Sequence, residues 1–175
     1  MDGVPVGDAE VIEPLSPRLW YQRLAPAALG RFHSLVVDEH IRRYLMDGMI
    51  FPREWSEERI RDSQSLFERR GVGLWLVEKK RSRELMGFCG FLELPSTHEG
   101  PQLVYALRER FTGKGYGTEM ARASIAYARS RAGFTDIVAA VDEVNANSCK
   151  LLERIGFTRV STVKGNLGAL LIYRL

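Results

Sequence analysis

The chain has little cysteine and little histidine. Its 175 residues include two cysteines, Cys89 and Cys149, 60 positions apart, and three histidines. No CxxC occurs, so the sequence offers neither a zinc-site spacing nor a disulfide framework, and no metal is expected. A reduced, cytoplasmic setting is the default expectation. Long hydrophobic runs are missing as well: no window approaches the ~18 uninterrupted apolar residues of a membrane span. Met1 to Pro17 carries Asp2, Asp8, Glu10 and Glu13 with no apolar stretch. It reads as neither a secretory signal nor an Arg-rich transit peptide. Nor is there an excess of one charge, since 25 Lys and Arg face 22 Asp and Glu for a net +3. Nucleic-acid binders concentrate Lys and Arg on one face. The densest basic run here, Lys79, Lys80, Arg81 and Arg83, is flanked by Glu78 and Glu84. It reads as a solvated hairpin tip, with a phosphate or partner contact as the alternative. Neither a nucleic acid nor a membrane is expected as a partner.

What is present suits one folded domain. The hydrophobic fraction of 45% is too high for a disordered chain. A chain near this length buries roughly 70% of its unfolded surface and needs no staples. Residues 1–16 read as an acidic, Pro-containing lead-in, and 17–175 as the domain. Leu19-Trp20-Tyr21 with Leu24 reads as a first strand. Pro26 opens a helix with Leu29, Phe32 and Val36 on one face. Ile41 to Leu45 is a short helical piece. Pro52 begins a second helical stretch carrying Ile60, Leu66 and Phe67, which Gly71 and Gly73 stop. Leu74-Trp75-Leu76-Val77 and Leu85 to Leu94 then form a hairpin across the charged tip. Gly87 and Gly90 inside the second strand signal a bulge or a close backbone approach. A loop spans Pro95 to Pro101, and Leu103 to Leu107 is the next strand. Tyr116, Met120, Ala123 and Tyr127 trace one face of a helix that Gly133 ends. Ile137 to Val141 is an apolar run suited to a strand buried on both faces. Asn147 is placed to cap a short helix with Leu151, Leu152 and Ile155 inward. Arg159 to Val163 and Ala169 to Leu175 are two last strands around Gly165. The order, β-α-α-β-β-β-α-β-α-β-β, is a mixed α/β single domain.

The most informative segment is Arg110-Phe111-Thr112-Gly113-Lys114-Gly115-Tyr116-Gly117-Thr118, between a strand and a long helix. Three glycines at alternate positions let the backbone turn tightly and expose N–H groups. The helix that follows adds its own unpaired N–H groups and the positive end of its dipole. Together they suit a pyrophosphate. A Walker A loop needs GxxxxGK[ST], and Lys114 is misplaced for it. A Rossmann fingerprint needs GxGxxG near the start of a βαβ unit, whereas the spacing here is GxGxG with about 100 residues before it. An acyl-CoA loop of the form R/Q-x-x-G-x-G/A fits Arg110, Gly113 and Gly115, with Gly117 as the next small residue. On this segment alone, a plain glycine-rich turn stays open.

A second segment strengthens the acyl-CoA reading. Asn145-Ala146-Asn147-Ser148 follows a strand and leads into Leu151-Leu152-Glu153-Arg154-Ile155-Gly156-Phe157. This resembles the N-x-x-S and G-F motif of the Gcn5-related N-acetyltransferase (GNAT) superfamily. The 32 positions between Gly113 and Asn145 leave room for one helix and one strand. Pro17 to Leu24 is similar to the "ERLxLRxL" opening of the RimJ/RimL-type ribosomal-protein acetyltransferases. Arg43-Tyr44-Leu45 resembles their "RYL", and Leu85 to Gly90 their "LIGxxG". The resemblance covers roughly residues 17–175.

The resemblance implies a mostly antiparallel twisted sheet of about seven strands, splayed between two central strands, with helices on both faces. It implies acetyl-CoA as co-substrate and a primary amine as acceptor, attacking the thioester directly. The split maps to the strand ending at Leu107 and the strand at 137–141. Pantetheine would pair with backbone near Leu107, and the diphosphate would meet Arg110, Gly113, Lys114, Gly115, Tyr116, Gly117 and Thr118. Asn145 and Ser148 would line the sulfur end. Many relatives carry a tyrosine seven residues after the asparagine as general acid. Leu152 stands there, which leaves Ser148 as the substitute. Ser148 also reads as a helix N-terminal residue satisfying backbone N–H groups. Lys150 is a surface lysine or an adenosine-phosphate ligand. Dimers are common in this branch.

A base is harder to place. Gln102, or Leu103 and Val104, fill the position where relatives carry a glutamate. Glu93, His98 and Glu99 are the alternatives, with Glu93 the candidate retained. Deprotonating a lysine at pH 7 costs about 4.6 kcal/mol, against about 1.0–1.4 kcal/mol for an α-amine. The lack of an obvious carboxylate therefore favours an α-amino acceptor. A non-catalytic acyl-CoA-binding module and a nucleotide- or nucleic-acid-binding domain are the competing readings.

Overall fold

The computed structural model describes residues 13–94 and 100–175. The first twelve residues of the lead-in, and the base candidates His98 and Glu99, lie outside the described residues. Seven strands form one sheet: β1 (Leu19–Arg23), β2 (Leu74–Lys79), β3 (Leu85–Glu93), β4 (Pro101–Leu107), β5 (Val138–Asp142), β6 (Thr158–Lys164) and β7 (Ala169–Arg174). Their spatial order is β1-β2-β3-β4-β5-β7-β6. Every pairing is antiparallel except β4 with β5. The helices are α1 (Leu29–Val36), α2 (Glu39–Leu45), α3 (Arg53–Arg70), α4 (Tyr116–Ala132) and α5 (Ala146–Arg154).

The sheet separates two apolar layers. Trp75 and Val77 of β2 face the layer under α4 and α5, with Met120, Ala128 and Leu152. Their neighbours Leu74 and Leu76 face the other layer, with Phe32 and Leu35 of α1, Ile41 of α2 and Ile60 of α3. A strand covered on both faces has no polar side to show, which is why Leu74 to Val77 is an unbroken apolar run. Each such burial contributes ~1.5–3 kcal/mol. Trp75 sits at the centre of its layer, edge-on to Phe67 at 5.0 Å and Tyr127 at 4.9 Å.

The short helical piece expected at Ile41 to Leu45 is a helix of its own, α2, because Asp38 starts it: its carboxylate accepts from the N–H groups of His40 and Ile41. Both glycine expectations in β3 are met: the register with β2 slips between the pairs Val77–Gly87 and Glu78–Leu85, and the backbone also approaches closely. A Cβ on Gly87 would lie 1.9 Å from the Ala106 carbonyl oxygen, and one on Gly90 2.0 Å from that of Gly73. Asn147 does not cap α5. Asn145 does, with its side chain accepting from the Ser148 N–H at 3.2 Å. The helix therefore begins two residues earlier, at Ala146, than a cap at Asn147 would allow.

Candidate active site

The parallel pair β4 and β5 is the site's frame. The two strands share one register pair, Gln102 with Val138. Beyond it no pairing joins them, so β4 from Leu103 to Leu107 and β5 from Ala139 to Asp142 diverge toward their C-terminal ends. Backbone groups that would have closed the ladder are left facing the gap.

The glycine turn lies at the open end of this gap, directly after β4. A short 3-10 turn (Glu109–Phe111) leads into it, and Gly115 is the N-cap of α4. Gly113 and Gly115 take φ of 70° and 78°, a left-handed conformation that costs a side-chain-bearing residue ~1–2 kcal/mol. A Cβ on Gly113 would meet nothing within 4 Å. The N–H groups of Gly113 through Thr118 donate to no carbonyl among the described residues. A row of free donors on a glycine bend, at the positive end of a long helix, fits a diphosphate. Gly117 serves packing: a Cβ there would come within 2.9 Å of the Leu151 side chain and 3.9 Å of that of Leu107.

Arg18, whose role no local pattern signals, braces the turn. Its Nε lies 2.6 Å from Glu119 Oε2, its backbone N–H donates to Glu119 Oε1 at 2.8 Å, and Nη1 donates to the Lys114 carbonyl at 3.1 Å. Its guanidinium lies over the Tyr116 ring, 4.2 Å from the centroid. The edge strand is thereby tied to the turn. The Lys114 ammonium donates back to the Arg110 carbonyl at 2.6 Å, and the Arg110 guanidinium pairs with Glu84 at 2.8 Å.

Ser148 and Tyr105 meet over the gap. The Tyr105 phenol and the Ser148 hydroxyl are 2.6 Å apart. Tyr105 alternates with Leu103 and Leu107 on the face of β4 toward α4 and α5. Burial pushes its phenol up to about 12, although the bond to Ser148 opposes the shift. The phenol is therefore neutral at physiological pH and available as a donor. A tyrosine thus arrives from β4 while Leu152, in the position that many relatives give to tyrosine, is fully buried in the core. Of the two readings of Ser148, the backbone cap belongs to Asn145 and the Ser148 hydroxyl turns to Tyr105.

Glu93 lies elsewhere. It pairs in register with Pro101, at the end of β4 remote from the glycine turn, and its carboxylate binds Arg69 at 3.0 Å. Gln102 is fully buried, and its amide donates to the Leu94 carbonyl at 3.0 Å. At the open end of β5, burial and the neighbouring Asp47 push the Asp142 carboxyl up. Asn166 donates to Asp47 at 2.7 Å, so the segment after α2 and the β6–β7 hairpin meet there. Cys89 is buried and accepts from Ser124 at 3.1 Å, with its thiol pushed up to about 12 by burial. Among the described residues no cluster of His, Cys, Asp and Glu is arranged to hold a metal ion. None of the described helices is long and apolar enough to cross a membrane.

A family model described as "Acetyltransferase (GNAT) domain" matches residues 18–158. The chain belongs to the GNAT acetyltransferase family. A curated relative, the uncharacterized protein YkkB of Bacillus subtilis, is 31% identical over 115 residues, 64% of this chain and 63% of that protein. The aligned chain thus spans less than two thirds of that relative. An acetyltransferase structure from Agrobacterium tumefaciens superposes with a TM-score of 0.79 at 20% identity, covering 99% of each chain. The ribosomal L7/L12 α-N-protein acetyltransferase RimL, in complex with coenzyme A, superposes with a TM-score of 0.77 at 18% identity over 93% of this chain and 96% of that one. This GNAT chain therefore shares the family's splayed sheet with helices on both faces.

Proposed function

We propose that this GNAT chain is an N-acetyltransferase that moves an acetyl group from acetyl-CoA to a primary amine, with peptide α-amines as the acceptor class. One observation carries the reading: a gap between β4 and β5 opens after a single register pair and ends at a row of unpartnered N–H groups. Acetyl-CoA supplies the activated thioester and a diphosphate. The N–H groups of Gly113 to Thr118 hold that diphosphate. Free backbone groups of β4 between Leu103 and Leu107 orient the pantetheine arm, and an N–H at the gap polarises the thioester carbonyl. Attack by the amine in a ternary complex follows, with the thiolate departing.

The hydroxyl pair sets the fate of that thiolate. A thiol titrates near ~8.5, whereas the Tyr105 phenol is pushed up to about 12. Full proton transfer from Tyr105 to the thiolate would be uphill, because burial makes the phenol hold its proton more tightly than a thiol does. Tyr105 and Ser148 therefore act as a hydrogen-bond donor relay that stabilises the thiolate rather than as a general acid. Asn145 fixes the relay by capping α5, which sets the position of Ser148. The acceptor's ammonium proton goes to solvent before attack, and the proton that the nitrogen sheds as the amide forms passes through solvent to the departing thiolate, which is released as the thiol. An α-amine needs only about 1.0–1.4 kcal/mol for the first of these losses at pH 7, against about 4.6 kcal/mol for lysine. The likeness in fold to RimL, a ribosomal L7/L12 α-N-protein acetyltransferase, supports the same acceptor class.

Mass spectrometry of peptides incubated with acetyl-CoA tests the reading. Peptides with free N-termini are expected to gain one acetyl group each, and N-terminally blocked peptides with internal lysines to remain unmodified. Binding of acetyl-CoA with no turnover on any amine contradicts catalysis and leaves an acyl-CoA-binding module.

A further inference from the structure

The basic run in the β2–β3 hairpin has no part in the chemistry above, yet it sits beside the glycine turn. A cavity of about 420 Å³ is lined by Pro17, Arg18, Lys79, Lys80, Arg81 and Tyr116. Two of those residues also belong to the turn's architecture. Tyr116 is the first residue of α4, and Arg18 donates to the Lys114 carbonyl. The cavity and the turn are therefore adjoining compartments.

The charges in the hairpin are sorted. Its two glutamates are engaged with arginines: Glu78 binds Arg31 and Arg83, and Glu84 binds Arg110. Arg83 is further held over the Trp20 ring at 4.4 Å. Lys79 and Arg81 have no ion pair or side-chain hydrogen bond among the described residues, and the Lys80 ammonium donates only to the Ser16 carbonyl at 3.4 Å. Arg18 pairs with Glu119. Three uncompensated cations thus surround one cavity, although carboxylates lie in the same hairpin. Like charges held together repel, and an anion seated between them removes that cost.

We propose that this cavity seats the 3′-phosphate of coenzyme A, with Lys79, Lys80 and Arg81 as its counter-charges and the Tyr116 ring as a wall. The inference rests on the acetyl-CoA reading above. Only one ribose ring separates the 3′-phosphate from the diphosphate, as the adjoining compartments require. A phosphate monoester carries nearly two negative charges at neutral pH, which suits a cluster of cations better than a single one. Arg18 keeps its existing bonds and serves both compartments as the wall between them.

Isothermal titration of the full chain with CoA and with dephospho-CoA, which carries a hydroxyl in place of the 3′-phosphate, tests the inference. The variant Lys80→Gln/Arg81→Gln alters two exposed side chains and spares every residue of the glycine turn. Wild type is expected to bind CoA about tenfold more tightly than dephospho-CoA at low salt. The variant is expected to bind CoA as weakly as wild type binds dephospho-CoA, with dephospho-CoA affinity unchanged. Equal wild-type affinity for the two ligands overturns the seat and leaves the acetyl-CoA reading standing. So does an equal loss for both ligands in the variant, which marks long-range attraction without a seat. Failure of wild type to bind either ligand overturns both.

Discussion

The Tyr105 phenol on β4 and the Ser148 hydroxyl on α5 approach to 2.6 Å over the gap between β4 and β5. This contact ties β4 to the helix that follows β5, where ladder pairing between the two strands has stopped. If the two hydroxyls act as one relay, Tyr105→Phe and Ser148→Ala should each lower kcat with little change in the KM for acetyl-CoA. A hydrogen bond to a developing charge is worth ~1.5–3 kcal/mol, so each loss should be about ten- to a hundredfold. The double variant should lose little more than either single one, because groups that act as a unit are not additive. Additive losses in a double-mutant cycle would count against a relay.

The same pair makes a pH prediction. With its phenol pushed up to about 12, Tyr105 stays protonated throughout the accessible range. The wild-type kcat should show no alkaline loss up to pH ~10, since ionisation of the donor lies above it. A limb near pH 8–9 that Tyr105→Phe abolishes would mean that the phenol ionises during turnover.

Gly115→Ala places a Cβ at φ 78° and 3.4 Å from an Arg18 nitrogen. The strain is expected to cost ~1–2 kcal/mol of stability, read by chemical denaturation. The turn it distorts holds the diphosphate, so CoA affinity should fall as well. An unchanged affinity would separate the turn from the ligand.

The cap assignment separates two neighbouring asparagines. Asn145→Ala should cost ~1 kcal/mol by removing the acceptor for the Ser148 N–H. Asn147→Ala, on an exposed residue inside the first turn of α5, should cost little. Equal denaturation midpoints for the two variants would contradict the assignment.

Burial, with the like charge of Asp47 beside it, pushes the Asp142 carboxyl above its usual range. The folded protein then holds this proton more tightly than the unfolded chain, and the ionised form weakens the fold. Asp142→Asn is expected to raise the thermal midpoint at neutral pH. The gain should shrink as pH falls through the carboxylate range, where the wild-type group also becomes neutral. Melting curves from pH 4 to 8 check this, and a gain that does not vary with pH contradicts it.

Sequence periodicity located the strands and helices because both faces of the sheet are covered and each element's apolar pattern reports that cover. Gly113 and Gly115 were legible because left-handed backbone selects glycine, and the spacing to Asn145 because one helix and one strand must fit between. Contacts between distant segments were not legible. Arg18 reaches Glu119 across 101 positions, and Tyr105 reaches Ser148 across 43. Nothing local in β4 distinguishes Tyr105 from another half-buried strand residue; only the divergence of β5 gives it a partner. Asn147 was a credible cap by residue type, and the bond to the Ser148 N–H moves that role to Asn145. Glu93 was a candidate by residue type too, and strand register carries it to the end of β4 away from the turn.

The central claim is that the gap beside the glycine turn takes acetyl-CoA for transfer to an amine. Mixing the full chain with acetyl-CoA and a peptide bearing a free N-terminus, and following thiol release together with peptide mass, tests it most directly. The account predicts one thiol released for each acetyl group gained at the α-amine, with both lost in Gly115→Ala at limiting acetyl-CoA. Thiol release independent of the peptide, or no acetyl-CoA binding at all, would contradict it.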